Sequence, residues 1–288
     1  MPSNRDRVVI WGDGAVGTGL AVALSRSLDV VLIGPSGCGR GRIRLESTGE
    51  FSGEAAVDKL EAGDDVDGKY CVVAVKAFDL KDVASLAESS TSNRCICFTN
   101  GMSLEAEWGH SWNNRVEPAV LTAGFYLMNQ RFVDTAPGSL IVSSGGSARS
   151  LFKDCGIPIE ITDNIEIVRW AKWLVNSVIN PLGALVGVRN NCLRPAGLSS
   201  LINKLFLELV QVIPFDYREA AEEEASVMLD FLLSSSGNRS SMLQDIDANR
   251  RTEIDFLTGL HEKRLPGKCP AAAAVTDLIR AKASQPFL

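Results

Sequence analysis

Three polar residues recur every four positions inside an apolar segment of this chain. Lys172, Asn176 and Asn180 stand in the run AKWLVNSVIN. On an α-helix a four-residue step drifts only ~40° from a full turn, so an ammonium group and two carboxamides would share one face. Burying them costs free energy unless a partner hydrogen-bonds to them, and a polar ligand is such a partner. The alternative is the solvent-facing stripe of an ordinary amphipathic helix.

A second polar group lies in the segment SSMLQDIDANRRTEID. Ser241 and Glu253 would be ~18 Å apart on one straight helix, too far to share a small substrate. Ser241 with Gln244 is a capping-box pattern, however, and Thr252 with Asp255 predicts another helix start. A break at residues 249–251 would bring the serine and the glutamate to one cleft. The alternative is two ordinary helix caps with surface charges.

Composition predicts two domains and a small-molecule partner. The chain has 288 residues, of which 45% are hydrophobic and 22% are charged, as in ordinary globular proteins. A net charge of −6 disfavours a general binder of nucleic acid or anionic membranes. The N-terminus resembles neither a signal peptide nor an anchor, and the longest apolar stretch, residues 173–188, is interrupted and too short to span a bilayer. We therefore expect a soluble cytoplasmic protein.

Cysteine and histidine usage argues against a disulfide framework or a metal centre. The seven cysteines are an odd number without C-x-x-C spacing, which predicts small core residues. The two histidines, His110 and His261, lie far apart without clustered carboxylate or cysteine ligands. Neither a metal site nor a histidine-based triad is expected.

A glycine-rich turn near the N-terminus predicts a dinucleotide-binding unit. The apolar run Val8 to Trp11 leads into a glycine motif, a helical segment TGLAVALSRS and a second apolar run, Val30 to Ile33. In this strand, turn, helix and strand order, glycines permit the tight turn, the approach of a pyrophosphate and the packing of helix on strand. The alternative is a purely structural glycine turn. The motif residues are Gly12, Asp13, Gly14, Ala15, Val16 and Gly17.

The residues after the second strand favour NADP over NAD. Gly34 to Arg42 contains no acid to bind a ribose 2′-hydroxyl or repel a 2′-phosphate. Ser36 with Arg40 or Arg42 could bind that phosphate. Alternatively, the arginines only solvate a glycine-rich loop.

Two further side chains follow predicted strands, where ligands of open α/β sheets bind. Lys76 ends the run Cys71 to Val75, and Asn100 follows the run Arg94 to Phe98. Other strands are predicted at residues 119–122, 139–143 and 158–161, and the pattern is helical from about Ile165 onwards. We place the boundary near residue 163, with an α/β dinucleotide-binding domain over 1–163 and a helical domain over 164–288.

Five segments together resemble the ketopantoate reductase (2-dehydropantoate 2-reductase) family. They are the glycine motif, AVKAFD, TNGM, AKWLVNSVINPLGAL and SSMLQDIDANRRTEID, in family order and at family spacing over nearly the whole chain. The resemblance implies an N-terminal Rossmann-type domain and an all-α C-terminal domain like that of 6-phosphogluconate dehydrogenase. It also implies NADPH-dependent reduction of 2-dehydropantoate to pantoate, a step of pantothenate and coenzyme A biosynthesis.

The resemblance implies a role for each matching side chain. Lys172 resembles the catalytic proton donor, and Glu253 the active-site glutamate near the nicotinamide. Asn176, Asn180, Asn190 and Ser241 match substrate-binding positions, with Ser241 at the place of the carboxylate-binding serine. Lys76 and Asn100 match cofactor-side residues, and Asn100 also lies near the substrate in the family.

The chain departs from the family pattern in three places. Pro35 and Ser36 replace the usual arginine after the second strand, the segment after Glu253 is shorter, and APGSLIVSSGG lacks a histidine often found there. Other hypotheses therefore stay open: a reductase of another 2-oxo acid, an enzyme of the same architecture acting on an opine or a polyol phosphate, and a catalytically silent NADPH-binding sensor. The oligomeric state also stays open, a homodimer included.

Overall fold

The protein forms two compact units in the computed structural model. The first unit comprises Met1–Thr99 and Ser103–Ile165, and the second comprises Asn100–Met102 and Glu166–Leu288. The residues that the structure describes are 5–90, 94–104, 115–129 and 131–284.

The first unit is an α/β structure. Its described strands are β1 (Arg7–Trp11), β2 (Asp29–Gly34), β3 (Gly41–Gly49), β4 (Gly53–Glu61), β5 (Tyr70–Val73), β6 (Cys95–Cys97), β7 (Val116–Pro118), β8 (Val120–Leu121), β9 (Gly124–Asn129), β10 (Phe132–Ala136), β11 (Leu140–Ser143) and β12 (Ile159–Thr162). Its described helices are α1 (Ala15–Leu24), α2 (Leu80–Ser89), α3 (Ala148–Phe152) and a 3-10 turn at Ala77–Asp79.

Parallel strands form the centre of the larger sheet. Over the described residues the strand order is β7-β6-β5-β1-β2-β4-β3-β10-β9, and β12-β11-β8 form a second sheet. β1 pairs in parallel with both β2 and β5, so that Val9 lies opposite Val31 on one side and Cys71 on the other. Val8, Val9 and Ile10 are completely buried. Such continuous apolar strands require cover on both faces, as in doubly wound folds, and the predicted Rossmann-type class is confirmed.

The β3–β4 hairpin differs from the sequence prediction. The segment from Gly34 to Arg42 was predicted as a loop, yet Gly41 and Arg42 begin β3, which pairs antiparallel with β4. Charged side chains occupy every second position of β3 from Arg42 to Glu46, and Arg42 lies opposite Asp58 of β4 on the exposed face. These cross-strand pairs make one face of the hairpin polar, which conceals the strand from a search for apolar runs.

The second unit is helical. Its described helices are α4 (Ile165–Val186), α5 (Ser199–Val210), α6 (Phe215–Ser235), α7 (Ser241–Asp247), α8 (His261–Arg264) and α9 (Pro270–Ser284), with 3-10 turns at Asn190–Cys192, Ile254–Phe256 and Thr258–Leu260. Its core includes Leu174, Val178 and Leu182 of α4 and Leu205 and Leu209 of α5. The predicted change from an α/β to a helical pattern near Ile165 agrees with the start of α4.

The cysteines are divided between the interior and the surface of the protein. The prediction that all seven cysteines lie in the core is wrong for Cys38, which is half-buried, and for Cys192, which is exposed. No cluster of His, Cys, Asp and Glu suited to a metal ion occurs within the described residues. His110 lies outside them, and His261 is buried with Nδ1 at 2.7 Å from the Thr258 carbonyl oxygen.

Among the described helices, none is long and apolar enough to cross a membrane.

Candidate active site

Helix α4 carries the polar face that the four-residue spacing predicts. Lys172, Asn176 and Asn180 all lie within its 22 residues. Lys172 and Asn176 are half-buried, and Asn180 is only 5% exposed. Their neighbours Trp173 and Leu174 are buried. Two of the three side chains are half-buried and the third is buried, so this face is not the exposed stripe of an ordinary amphipathic helix.

The Lys172 ammonium is desolvated but not isolated. Its Nζ donates a hydrogen bond to Oδ1 of Asn100 at 3.1 Å. Burial lowers the pKa of Lys172 from 10.5 to about 8, while the nearby Glu253 carboxylate acts in the opposite direction and raises it. The side chain stays charged at neutral pH, yet it gives up a proton far more readily than an ordinary lysine.

A short irregular segment holds Glu253 against α4. Glu253 is 3% exposed and immediately precedes the 3-10 turn Ile254–Phe256. The Trp173 indole donates Nε1–H to the Phe256 carbonyl oxygen at 3.2 Å. Gly101 packs against Phe256, where an added Cβ would come within 3.1 Å of the Phe256 Cβ. Asn100, Lys172 and Glu253 are thus brought together by contacts between three distant parts of the sequence.

The predicted chain break before Glu253 is present, with a different capping residue. Helix α7 ends at Asp247, and Asn249 adopts the left-handed conformation with φ 51°. The N-cap of α7 is Ser240 and not Ser241, because the Ser240 hydroxyl accepts the Leu243 N–H at 3.2 Å. The second capping prediction is also wrong, because Glu253 and not Thr252 occupies the N-cap of the following 3-10 turn.

The Ser241 side chain takes no part in capping α7, because Ser240 is the N-cap. The Ser240 hydroxyl also donates to the Asn180 carbonyl oxygen at 3.2 Å, which ties the start of α7 to α4. Asn190 approaches the same region, since its N–H donates to the Asn238 carbonyl oxygen at 3.0 Å. The first residue of α7 and the asparagines at 180 and 190 therefore share one part of the unit.

Four polar side chains of this region make no hydrogen bond to the described part of the protein. Asn190 is 5% exposed, and its Oδ1 is buried without a hydrogen bond. Within the described parts of the chain, no side-chain hydrogen bond is made by Asn176, Asn180 or Ser241 either. Because buried polar groups in proteins are normally paired, these side chains suit a polar ligand.

The glycine motif of the first unit is closely packed at its first and third glycines and open at its second. Gly12 has φ 112°, and an added Cβ there would lie 2.7 Å from the Ala74 carbonyl oxygen. A Cβ on Gly17 would lie 1.7 Å from the Gly12 carbonyl oxygen, so only glycine lets α1 pack this closely. At Gly14, by contrast, an added Cβ would meet nothing within 4 Å. This open start of α1 fits a pyrophosphate, which backbone N–H groups at a helix N-terminus bind well.

The arginines predicted for a 2′-phosphate already have acidic partners. Arg40 forms a bidentate pair with Asp64, at 2.8 and 2.9 Å, and also lies 3.0 Å from Glu61. The hydrogen bond from Arg40 and the backbone hydrogen bond from Gly39 hold the pKa values of Asp64 and Glu61, respectively, below their usual range. Arg42 pairs with Asp58 at 3.0 Å on the hairpin face.

Three further polar residues follow the ends of parallel strands in the first unit. Ser36 is exposed and donates its hydroxyl to the Ala62 carbonyl oxygen at 3.2 Å. Lys76 is half-buried and stands at the N-cap of the 3-10 turn Ala77–Asp79, just after β5. The Thr99 hydroxyl donates to the Val75 carbonyl oxygen at 3.1 Å, which connects the segment after β6 to the segment after β5.

An ion pair that the sequence did not predict joins a buried lysine to the glycine motif. Lys59 is 6% exposed and its Nζ lies 2.8 Å from Oδ2 of Asp13. Burial alone would lower the pKa of Lys59, but the Asp13 carboxylate outweighs it and the pKa is raised. The only local signal was the alternation along β4, whose pairing with β2 brings Lys59 opposite Leu32. The motif aspartate is therefore fixed by a strand that the sequence did not reveal.

Comparison with known proteins identifies the same family over both units. The family model described as Ketopantoate reductase PanE/ApbA matches residues 8–146, and its C-terminal counterpart matches residues 164–283. A curated relative from Archaeoglobus fulgidus, 2-dehydropantoate 2-reductase, is 30% identical over 279 residues, or 90% of each chain. With some other relatives of that name the chain aligns to less than half of their length.

Solved structures share the complete fold. A PanE/ApbA family ketopantoate reductase from Ralstonia eutropha has a TM-score of 0.81 and 23% identity over 96% of this chain and 98% of its own. A D-mandelate dehydrogenase solved with NADH and anilino(oxo)acetate has a TM-score of 0.79 and 20% identity, with the same coverage. At these identities the likeness shows a common fold.

Proposed function

Because the chain belongs to the ketopantoate reductase family, we propose that it uses NADPH to reduce 2-dehydropantoate to pantoate, a 2-oxo acid to a 2-hydroxy acid. The observation that carries this proposal is the Lys172 ammonium, whose pKa burial lowers to about 8, on one helix face with the carboxamides of Asn176 and Asn180. A desolvated acid beside unpaired polar groups suits proton transfer to a polar substrate better than it suits a structural role.

Lys172 is the proposed general acid. When bound, NADPH would supply a hydride to C2 of the substrate, and the carbonyl oxygen at C2 would gain negative charge. A positioned cation stabilises that charge as it develops and donates the proton that completes the alcohol. The hydrogen bond to Asn100 at 3.1 Å orients the ammonium. Glu253 keeps the ammonium charged, since its carboxylate raises the pKa of Lys172 against the effect of burial.

The substrate is held by side chains that have no partner within the described protein. We assign Asn176, Asn180 and Asn190 to the substrate carboxylate and hydroxyl groups, with Ser241 at the carboxylate. The buried Oδ1 of Asn190 without a hydrogen bond supports this assignment, because a hydroxyl group of the substrate would satisfy it. Fixing the 2-oxo acid in this way orients its carbonyl toward Lys172 and lowers the entropic part of the barrier.

The proposed cofactor residues come from both units of the chain. We assign the glycine motif from Gly12 to Gly17 to the pyrophosphate, and Lys76, Asn100 and Glu253 to further contacts with the cofactor. Ser36, Arg40 and Arg42 are the candidates for the 2′-phosphate. Asp64 and Glu61 already pair with Arg40, so the phosphate competes with two carboxylates. We therefore expect a preference for NADPH smaller than a free arginine would provide.

A substrate panel tests the proposal. The purified protein is mixed with NADPH and a series of 2-oxo acids that runs from small aliphatic acids through 2-dehydropantoate to an aryl acid, and loss of NADPH absorbance is followed. The highest kcat/KM is expected for 2-dehydropantoate. A higher kcat/KM for another 2-oxo acid would change the assigned substrate, and no oxidation of NADPH with any of them would contradict the reductase assignment.

A further inference from the structure

A proline leaves one backbone carbonyl of α4 without its usual helical donor. Pro181 lies inside α4 and has no N–H to donate to the carbonyl oxygen of Ser177, four residues earlier. The Thr258 hydroxyl takes that place and donates to the Ser177 carbonyl oxygen at 2.6 Å. Ser177 and Thr258 are both completely buried. Because water does not reach this site, the threonine is the replacement donor in the described structure.

The residues that anchor α4 run beside its polar face. A second row of residues on α4 stands one position after each residue of the polar face, so the two rows lie about 100° apart around the helix. The second row consists of Trp173, Ser177 and Pro181. Trp173 donates to the Phe256 carbonyl oxygen, and Ser177 accepts from Thr258. Both partners belong to one short segment, residues 253–260, which begins with Glu253.

We propose that Thr258 is a positioning residue for the reaction: by replacing the donor that Pro181 lacks, it sets the turn of α4 that carries Asn176 and Asn180 and holds that turn in register with Glu253. This inference rests on the proposed reduction of a 2-oxo acid. Thr258 itself touches the helix backbone and is not assigned any contact with substrate or cofactor.

The physical reason is the free-energy cost of a buried carbonyl oxygen that accepts no hydrogen bond. Without the Thr258 hydroxyl, the Ser177 oxygen would be buried and unpaired, and the turn between residues 177 and 181 could lower its energy by shifting. Such a shift would move Asn176 and Asn180 relative to Lys172. Small displacements of substrate-holding groups reduce the rate strongly, because the reactive geometry is reached less often.

The test compares three variants that separate the hydroxyl from the volume of the side chain. Thr258→Val removes the donor, and Thr258→Ser retains it. Thr276→Val is the matched control, since Thr276 is also completely buried but donates to the Ala272 carbonyl oxygen, four residues earlier in α9, where no proline removes a backbone donor. For each protein, kcat and KM for the preferred 2-oxo acid, the dissociation constant for NADPH and Tm are measured.

Thr258→Val is expected to lower kcat/KM by about 10-fold, through a lower kcat as well as a higher KM, with NADPH affinity within about twofold of the wild type. Thr258→Ser and Thr276→Val should stay within about threefold in kcat/KM. A Thr258→Val protein that loses Tm but keeps kcat and KM overturns the proposal. A wild type that reduces no 2-oxo acid would instead contradict the proposed function, and the positioning role with it.

A second comparison covers the case in which Thr258→Val does not fold. Pro181→Ala restores a backbone N–H that can donate to the Ser177 carbonyl, so the valine substitution should cost less Tm and less kcat/KM in that background than in the wild type. Equal losses in both backgrounds, or a double variant that also fails to fold, would show that the hydroxyl does not replace the missing donor and would overturn the proposal.

Discussion

The Lys172 ammonium donates to Oδ1 of Asn100 at 3.1 Å, although the two residues are 72 positions apart in the sequence. Asn100 belongs to the short segment Asn100–Met102, which packs with the helical unit. The contact keeps the lysine oriented, and as a neutral acceptor the carboxamide does not neutralise the ammonium. A charged lysine that is held but not neutralised is what proton donation to an alkoxide requires.

The first prediction concerns Lys172→Met. If the ammonium is the general acid, kcat should fall by about 10²–10⁴, with NADPH affinity retained. Near-normal kcat at saturating substrate would contradict this role.

The same variant has an expected effect on stability. The folded protein lowers the pKa of Lys172 from 10.5 to about 8, so the charged form destabilises the fold at pH values below about 8, and this cost disappears as pH rises toward the unfolded pKa. Lys172→Met should therefore raise Tm at pH 7 and leave it nearly unchanged at pH 10.5. Scanning calorimetry at the two pH values measures this difference.

The second prediction concerns Glu253→Gln and the pH profile. Because kcat/KM for reduction needs the ammonium, it should fall as pH rises through about 8, the pKa of Lys172. The Glu253 carboxylate raises that pKa, so its removal should shift the alkaline limb to lower pH as well as slow the reaction. Glutamine retains the shape of the side chain, so an unchanged limb would exclude electrostatic coupling.

The third prediction separates substrate binding from cofactor binding. Asn176→Ala and Asn180→Ala should each lower kcat/KM for the 2-oxo acid by about 10- to 100-fold and leave the NADPH dissociation constant nearly unchanged. Asn203→Ala serves as the control, since Asn203 is exposed on α5. If the α4 variants instead lost their fold while the control did not, the two asparagines would be structural.

The fourth prediction concerns discrimination between NADPH and NADH. Arg40→Ala should weaken the binding of NADPH by about 10-fold more than the binding of NADH. This is the loss expected for one charged hydrogen bond to the 2′-phosphate from an arginine that Asp64 and Glu61 partly neutralise. Arg42→Ala should have a smaller effect, because Arg42 pairs with Asp58 on the hairpin face. Arg44→Ala is the control. Arg44 lies two residues beyond Arg42 in β3 and likewise pairs with an acid, Glu54 of β4. Calorimetric titration with both cofactors measures the difference, and equal losses for both would remove Arg40 from the 2′-phosphate site.

The fifth prediction uses the different surroundings of two glycines. Gly17→Ala should destabilise the first unit, because its Cβ would lie 1.7 Å from the Gly12 carbonyl oxygen. Gly14→Ala should fold normally, since nothing lies within 4 Å of its Cβ, but should bind NADPH at least about 10-fold more weakly if the pyrophosphate approaches there. Tm and titration together check both, and full NADPH affinity in Gly14→Ala would place the pyrophosphate elsewhere.

The sequence by itself determined the features that depend on local geometry. The shared face of Lys172, Asn176 and Asn180 follows from the helical period, and the turn at Gly12 to Gly17 follows from the conformations that glycine allows. The break after α7 was also predictable, because it depends on residues adjacent in the chain. The β3–β4 hairpin was not, since its alternating charges are stabilised by partners on the neighbouring strand.

Only the tertiary structure decided which distant groups meet. It paired Arg40 with Asp64 and Glu61, placed Asn100 beside Lys172 and supplied Thr258 to the carbonyl that Pro181 leaves without a donor. The sequence shows where a polar side chain stands or where a backbone N–H is missing, but it does not specify which residue supplies the hydrogen-bond partner. That choice depends on which elements pack together, because burial makes an unpaired charge or carbonyl costly and so requires a partner from wherever the fold brings one within reach.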